Sequence, residues 1–156
     1  MEPNTPSCDT TGAMPSDAIR GLLRSRGLRV TQQRERLYAA LAASTRHPSA
    51  DELFCEVRHL QRGLSLATVY NTLEVFAEVG LCRKIPSDGV ARYDADVSDH
   101  IHIHMADGRV IDVPGALGDR LLSAIRPADL AEIERELGVK IDGLNLDLFA
   151  HDPAEG

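Results

Sequence analysis

Cysteine is scarce: the 156 residues hold three, Cys8, Cys55 and Cys82, far apart in the chain. That spacing excludes a disulfide framework and a zinc knuckle built on paired cysteines. Long apolar runs are also missing. No stretch approaches the ~20 residues needed to cross a bilayer, and no basic region followed by an apolar one opens the chain. A soluble, cytoplasmic protein with no membrane partner is expected. Positive charge is in deficit, with 17 Lys+Arg against 24 Asp+Glu and a net charge of -7, which at first sight argues against nucleic acid.

The charge is unevenly spread. Residues 17–95 carry 12 Lys+Arg against 9 Asp+Glu, a net of +3, whereas residues 96–156 carry 5 against 13, a net of -8. A mildly basic half joined to an acidic one fits a nucleic-acid module carried by a separate sensor or partner domain. Hydrophobic residues make up 43% of the chain, enough to bury a core, so general disorder is excluded. The length suits one ordinary domain or two small ones.

Residues 1–16 are rich in Pro, Ser, Thr and Gly with no apolar period and read as a flexible tail. From Asp17, the residues Ile19, Leu22 and Leu23 fall at helical spacing among Arg20, Arg24 and Arg26, with Gly27 as the stop. A second helix follows Thr31, a good N-cap, and runs through Leu37, Tyr38 and Leu41. A third follows His47-Pro48: Ser49 and Glu52 make a capping box, and Leu53, Phe54, Val57 and Leu60 the apolar stripe. Cys55, inside that pattern, is expected in the core. On spacing alone His47 is an exposed loop histidine.

The fourth helix is the informative one. Ser65 caps it, Leu66, Val69, Leu73 and Phe76 line one side, and Gly80 ends it. The other side opens with Ala67, Thr68, Tyr70 and Asn71, small, hydroxylic and amidic groups that suit a recognition helix in the major groove. A plain surface helix with a polar face has the same pattern. Two short β-like segments follow, LCRKIP and VARYDAD, joined at the turn sequence Ser87-Asp88-Gly89. A hairpin directly after a recognition helix makes a wing, from which Arg83, Lys84 and Arg92 could reach phosphates. Residues 17–95 are thus expected to form a winged-helix DNA-binding domain.

Residues 96–151 are expected to form a small α+β domain. Strands HIHIH and RVIDV flank an Asp107-Gly108 turn, two helical stretches follow, and Ile141, Leu144, Leu146 and Leu148 mark the buried face of a last strand. So small a unit buries little surface alone, and pairing with a second copy would remedy this. His100, His102 and His104 alternate and so project from one strand face. Asp94 lies just before them and Asp112 on the next strand. Imidazoles and carboxylates together suit a first-row divalent metal such as iron or manganese. A polar strand face is the plainer alternative. A non-haem metalloenzyme using the same cluster is a rival of another class, and a metal buffer a third. Against the enzyme, no separate nucleophile or general base is evident, and a buffer would not need the LATVYNTL helix.

The segments GLRVTQQR, HPSADELF, LSLATVYNTLEVFAEVGL, RYD, SDHIH and VIDVP, in that order, resemble the ferric uptake regulator family of bacterial metal-dependent transcription factors. The resemblance covers roughly residues 17–151. It implies a homodimer with an N-terminal winged helix and a C-terminal α+β dimerisation domain, repressing transcription from a palindromic double-stranded DNA operator. The family's regulatory metal site maps onto His47 from HP, Asp94 from RYD, His100 and His102 from DHIH, and Asp112 from VID. Fe2+ or Mn2+ is the metal implied, with Zn2+ able to occupy the site in purified protein. Arg29, Gln33 and Arg34 are the expected phosphate contacts, and Ser65, Thr68, Tyr70 and Asn71 the expected contacts to bases or sugar.

Two features bear on the branch. Aspartate at position 112, where iron-uptake members carry glutamate, looks like the peroxide-sensing branch, in which ferrous iron promotes oxidation of the histidines matching His47 and His100. The family's paired CxxC zinc motifs are absent; HMADG and HDPAEG stand in their places. That absence also resembles the haem-responsive iron-response regulators, although HIHIH replaces their adjacent histidines and no Cys-Pro dipeptide is present. Haem therefore ranks second, and His104 is left unassigned.

Overall fold

The computed structural model describes residues 14–87 and 89–153. Most of the expected tail, Cys8 and the turn residue Asp88 lie outside that range. The chain divides into two units, one of residues 14–85 with 91–96 and the other of 86–90 with 97–153.

The first unit contains α1 (Ser16–Ser25), α2 (Gln32–Ala43), α3 (Ala50–Val57), α4 (Leu66–Glu78), β1 (Arg83–Ile85) and β2 (Arg92–Asp94). Three of these helices, α2, α3 and α4, begin where a side chain satisfies one of their first amides. Thr31 accepts the Arg34 N–H, Ser65 accepts the Thr68 N–H, and Ser49 and Glu52 close a full capping box. Gly27 and Gly80 follow α1 and α4 in the left-handed conformation that glycine adopts at least cost. The apolar stripes meet in one core containing Ile19, Leu23, Leu37, Leu41, Leu53, Val57, Val69, Leu73 and Phe76, with Tyr38 edge-on to Phe76 at 5.7 Å. Strands β1 and β2 pair antiparallel, completing a winged helix.

Two expectations fail on α3. The helix stops at Val57, so Leu60 lies beyond it and is exposed. Cys55 is also exposed: on a helix of this pitch it falls between the buried Leu53 and Val57 and faces away from both.

The second unit is a three-stranded sheet, β3 (Ile101–Met105), β4 (Val110–Asp112) and β5 (Leu146–Ala150), with α5 (Gly115–Ser123) and α6 (Pro127–Leu137) between β4 and β5. The order is β4-β3-β5, with β4 antiparallel and β5 parallel to the central strand. The last strand starts later than the sequence implied. Gly138 caps α6 in a left-handed conformation, and Glu134 then binds Lys140 Nζ and the Ile141 amide, each at 2.9 Å. Residues 139–141 are thereby wrapped around the helix end and cannot join the sheet.

Of the face expected to be buried, Ile141, Leu144 and Leu146 are half-buried and only Leu148 is exposed, while Phe149 on the opposite face of β5 is 83% exposed. Helix α6 has no buried residue, and Leu117, Leu121, Ile133 and Leu137 are also open. No helix among the described residues is long and apolar enough to cross a membrane.

Candidate metal centre and nucleic-acid face

In the first unit, His47 is not the exposed loop histidine that spacing alone suggested. It is 2% exposed, and its φ of 48° is the only left-handed value at a non-glycine among the described residues. Such a backbone costs about 1–3 kcal/mol and persists only where its surroundings enforce it. They do. Tyr93 N–H donates to the Pro48 carbonyl at 3.0 Å, and Arg92 Nη1 donates to the His47 carbonyl at 3.1 Å and to Glu52 at 3.0 Å. Arg92 Nη1 is therefore committed to this loop. The imposed conformation turns the His47 ring inward, with Nδ1 at 3.6 Å from Oδ1 of the buried Asp94.

In the second unit, His102 is the centre of a cluster. It is fully buried, and its register partner on β4 is Asp112. Asp112 Oδ1 lies 3.4 Å from His100 Nε2 and 3.7 Å from His102 Nε2, and the two rings are 4.4 Å apart. His100 precedes the strand, and its Nδ1 lies 2.9 Å from the Ser98 carbonyl. A carbonyl only accepts, so Nδ1 is the donor there and Nε2 is the nitrogen that faces Asp112. His104 turns instead to β5, where Nε2 meets Asp147 at 3.1 Å and the ring stacks on Phe149.

These nitrogen–carboxylate separations bear on metal binding. At 3.4–3.7 Å they exceed good hydrogen-bond distances, yet two ligand atoms sharing an ion at ~2.0–2.2 Å sit roughly 3–3.5 Å apart. Imidazole nitrogens set beside carboxylate oxygens at that spacing suit ligands of a divalent cation. Asp147 is not legible as a site residue in the sequence, because its relevance depends on the parallel pairing of β5 with β3, a contact more than 40 residues away in sequence. The only local sign was an acidic residue inside an apolar strand pattern.

The candidate nucleic-acid residues all belong to the first unit. Arg29, Ser65, Tyr70 and Asn71 are exposed; Gln33, Arg34 and Thr68 are half-buried. Several already have structural duties. Ser65 Oγ caps α4 and lies 2.7 Å from the Thr68 hydroxyl, and Arg34 Nη1 donates to the Arg29 carbonyl at 2.9 Å. Tyr70 donates to Asp51 at 2.8 Å, and that bond pushes its phenol above the usual range. On the wing, Lys84 and Tyr93 both donate to Glu74 and hold its carboxyl below the usual carboxylate range.

A model of the ferric uptake regulator family matches residues 25–146. Among curated proteins, the peroxide-responsive repressor PerR of Staphylococcus saprophyticus is 35% identical over 92 residues, covering 58% of this chain and 62% of the relative. PerR of Staphylococcus aureus is 34% identical over the same length. The chain thus spans less than two thirds of these relatives. Among solved structures, the ferric uptake regulator from Pseudomonas aeruginosa with manganese has a TM-score of 0.65 at 29% identity, covering 86% of this chain and 98% of that one. The Vibrio cholerae ferric uptake regulator has a TM-score of 0.63 at 25% identity, covering 85% and 98%.

Proposed function

The chain belongs to the ferric uptake regulator family, and from that premise we propose that it is a metal-dependent transcriptional repressor that reports iron and peroxide to DNA. The family consists of DNA-binding regulators and not enzymes, so the metalloenzyme reading is set aside. The metal ligands are His47, Asp94, His100, His102 and Asp112. Fe2+ or Mn2+ is the resident ion, since imidazole with carboxylate suits either, and Zn2+ can replace them in purified protein. The observation that carries this reading is the spacing in each half of the set: buried imidazole nitrogens 3.4–3.7 Å from carboxylate oxygens.

Filling the site shifts the population toward a dimer whose two recognition helices match half-sites about one DNA turn, or ~34 Å, apart. A ligand shifts such an equilibrium only by its differential affinity, and a 100-fold change in operator binding needs only ~3 kcal/mol. The partners are the double-stranded DNA operator and a second copy of the chain, met in the cytoplasm. The open apolar side chains of the second unit, Leu137 at 69% exposure and Phe149 at 83% among them, support the homodimer. Thr68, Tyr70 and Asn71 read the operator from α4, with Ser65 at its start, while Arg29, Gln33 and Arg34 hold phosphates.

Ferrous iron, when bound, supplies electrons to peroxide beside His47 and His100; manganese does not. Asp112 and the kinship with peroxide-responsive repressors support that branch. The test is operator binding by metal-free protein titrated anaerobically with Fe2+ or Mn2+ and then pulsed with peroxide. Both metals should promote binding, and only the iron form should lose it, with an added oxygen on His47 or His100. His47→Ala and His100→Ala should abolish the metal response and leave the dimer intact. A full response in both variants would sink the site. If peroxide has no effect and haem releases the DNA, the haem-responsive reading takes its place.

A further inference from the structure

The sheet order β4-β3-β5 places the metal-ligand strand in the middle, so a residue on β3 faces a partner on each side. For His102 both partners are carboxylates: Asp112 is its register mate on β4 and Asp147 on β5. Each carboxylate is directed at a different ring nitrogen. Asp112 Oδ1 lies 3.7 Å from Nε2, and Asp147 Oδ1 lies 3.8 Å from Nδ1.

A neutral imidazole has one lone pair and one N–H. If Nε2 gives its lone pair to a metal beside Asp112, Nδ1 carries the proton. His102 is fully buried, so that N–H needs a protein acceptor, because a buried donor left unsatisfied costs about 1–3 kcal/mol. Asp147 is on the correct side to accept it. Its position is itself held, since the same Oδ1 lies 3.1 Å from Nε2 of His104, which is stacked on Phe149.

We infer that Asp147 is a positioning residue of the metal centre, orienting His102 through Nδ1, and that His104 is the tether of that carboxylate and not a metal ligand. This rests on the five-ligand reading above. It gives His104 a role and extends the centre to the C-terminal strand. Carboxylates behind metal-bound histidines fix the tautomer and raise the basicity of the ligand, and losing one typically costs about 10–100-fold in metal affinity.

The experiment measures Mn2+ affinity by calorimetry, and Co2+ ligand-field absorption as a report on ligand geometry, in the full chain and four variants. Asp147→Asn should weaken Mn2+ binding by about 10–100-fold at unchanged stoichiometry and shift the Co2+ bands. Asp147→Glu, which keeps the charge, should recover most of the affinity, and His104→Gln should cost less than Asp147→Asn. Melting of the metal-free variants separates a folding defect from a metal defect.

Asn within twofold of the parent with an unchanged Co2+ spectrum overturns the inference, as does a Glu variant as weak as the Asn variant. Loss of a separate metal equivalent in His104→Gln overturns it by making His104 a ligand elsewhere. His102→Ala isolates the underlying reading: if it binds Mn2+ as the parent does, the five-ligand site falls and the inference with it. If only Asp147→Asn is silent, the inference alone falls.

Discussion

Arg92→Ala should weaken metal binding although Arg92 is not a ligand. His47 sits at φ 48° and is 2% exposed, a conformation that costs about 1–3 kcal/mol and needs external support. Arg92 supplies part of that support through Nη1, which donates to the His47 carbonyl at 3.1 Å and to Glu52 at 3.0 Å. The Glu52 side chain is 56% exposed, so its ion pair contributes at most about 1 kcal/mol. The bond to the carbonyl has a charged donor in a partly buried setting and contributes about 1.5–3 kcal/mol.

Together these match the strain they oppose. Removing Arg92 should therefore let the loop leave its ordered form, lowering apparent affinity by the fraction that remains ordered. With the ~1.5–3 kcal/mol of the carbonyl bond lost, the expected weakening is about 10- to 150-fold. Calorimetric Mn2+ titrations of Arg92→Ala, Arg92→Lys and Glu52→Gln give the order: Ala weakest, Lys intermediate, Gln nearest the parent. Parent-like Mn2+ affinity in Arg92→Ala, with a parent-like melting curve, would refute the idea that this guanidinium holds His47 in place.

Leu73, fully buried in the winged-helix core, should cost about 2–5 kcal/mol when replaced by Ala; a loss below 1 kcal/mol in urea unfolding would contradict the packing described. Burial, and then the charges of Asp94 and Glu74, push the Cys82 thiol up to about 12 from an ordinary 9.0. The folded state therefore keeps a proton that the unfolded chain releases, so this contribution is full below pH 9 and lost as pH rises toward 12. Cys82→Ala should flatten the alkaline fall in melting temperature, and identical slopes in the two proteins would count against it. Operator affinity should fall steeply with salt, because each neutralised phosphate releases counterions; a flat response would remove the DNA contacts assigned to Arg29 and Arg34.

Much of the winged helix was legible because its signals are local. Thr31, Ser49 with Glu52, and Ser65 each announce a helix start within four residues, and the stripe of Val69, Leu73 and Phe76 repeats at helical spacing. The His100–His102 pair and Asp112 were legible for the same reason, since a tight turn at Gly108 brings β3 and β4 together. What the sequence concealed depends on distant contacts. The burial and left-handed backbone of His47 are imposed by Arg92 and Tyr93, more than 40 residues later. Asp147 faces His102 only because β5 returns parallel to β3 after two helices. The late start of β5 follows from Glu134, whose side chain holds residues 140 and 141 at the helix end. In Cys55 the apolar composition of the segment misled, because at helical pitch that position faces outward.

The proposed ligands of the metal ion are His47, Asp94, His100, His102 and Asp112. Mn2+ stoichiometry and affinity in His47→Ala, Asp112→Ala and the double variant test this assignment most directly, as a double-mutant cycle. The parent should bind one ion per chain, with each single variant falling to nearly the same weak residual affinity as the pair. Two ions per chain, with each substitution removing one and leaving the other at full affinity, would contradict it.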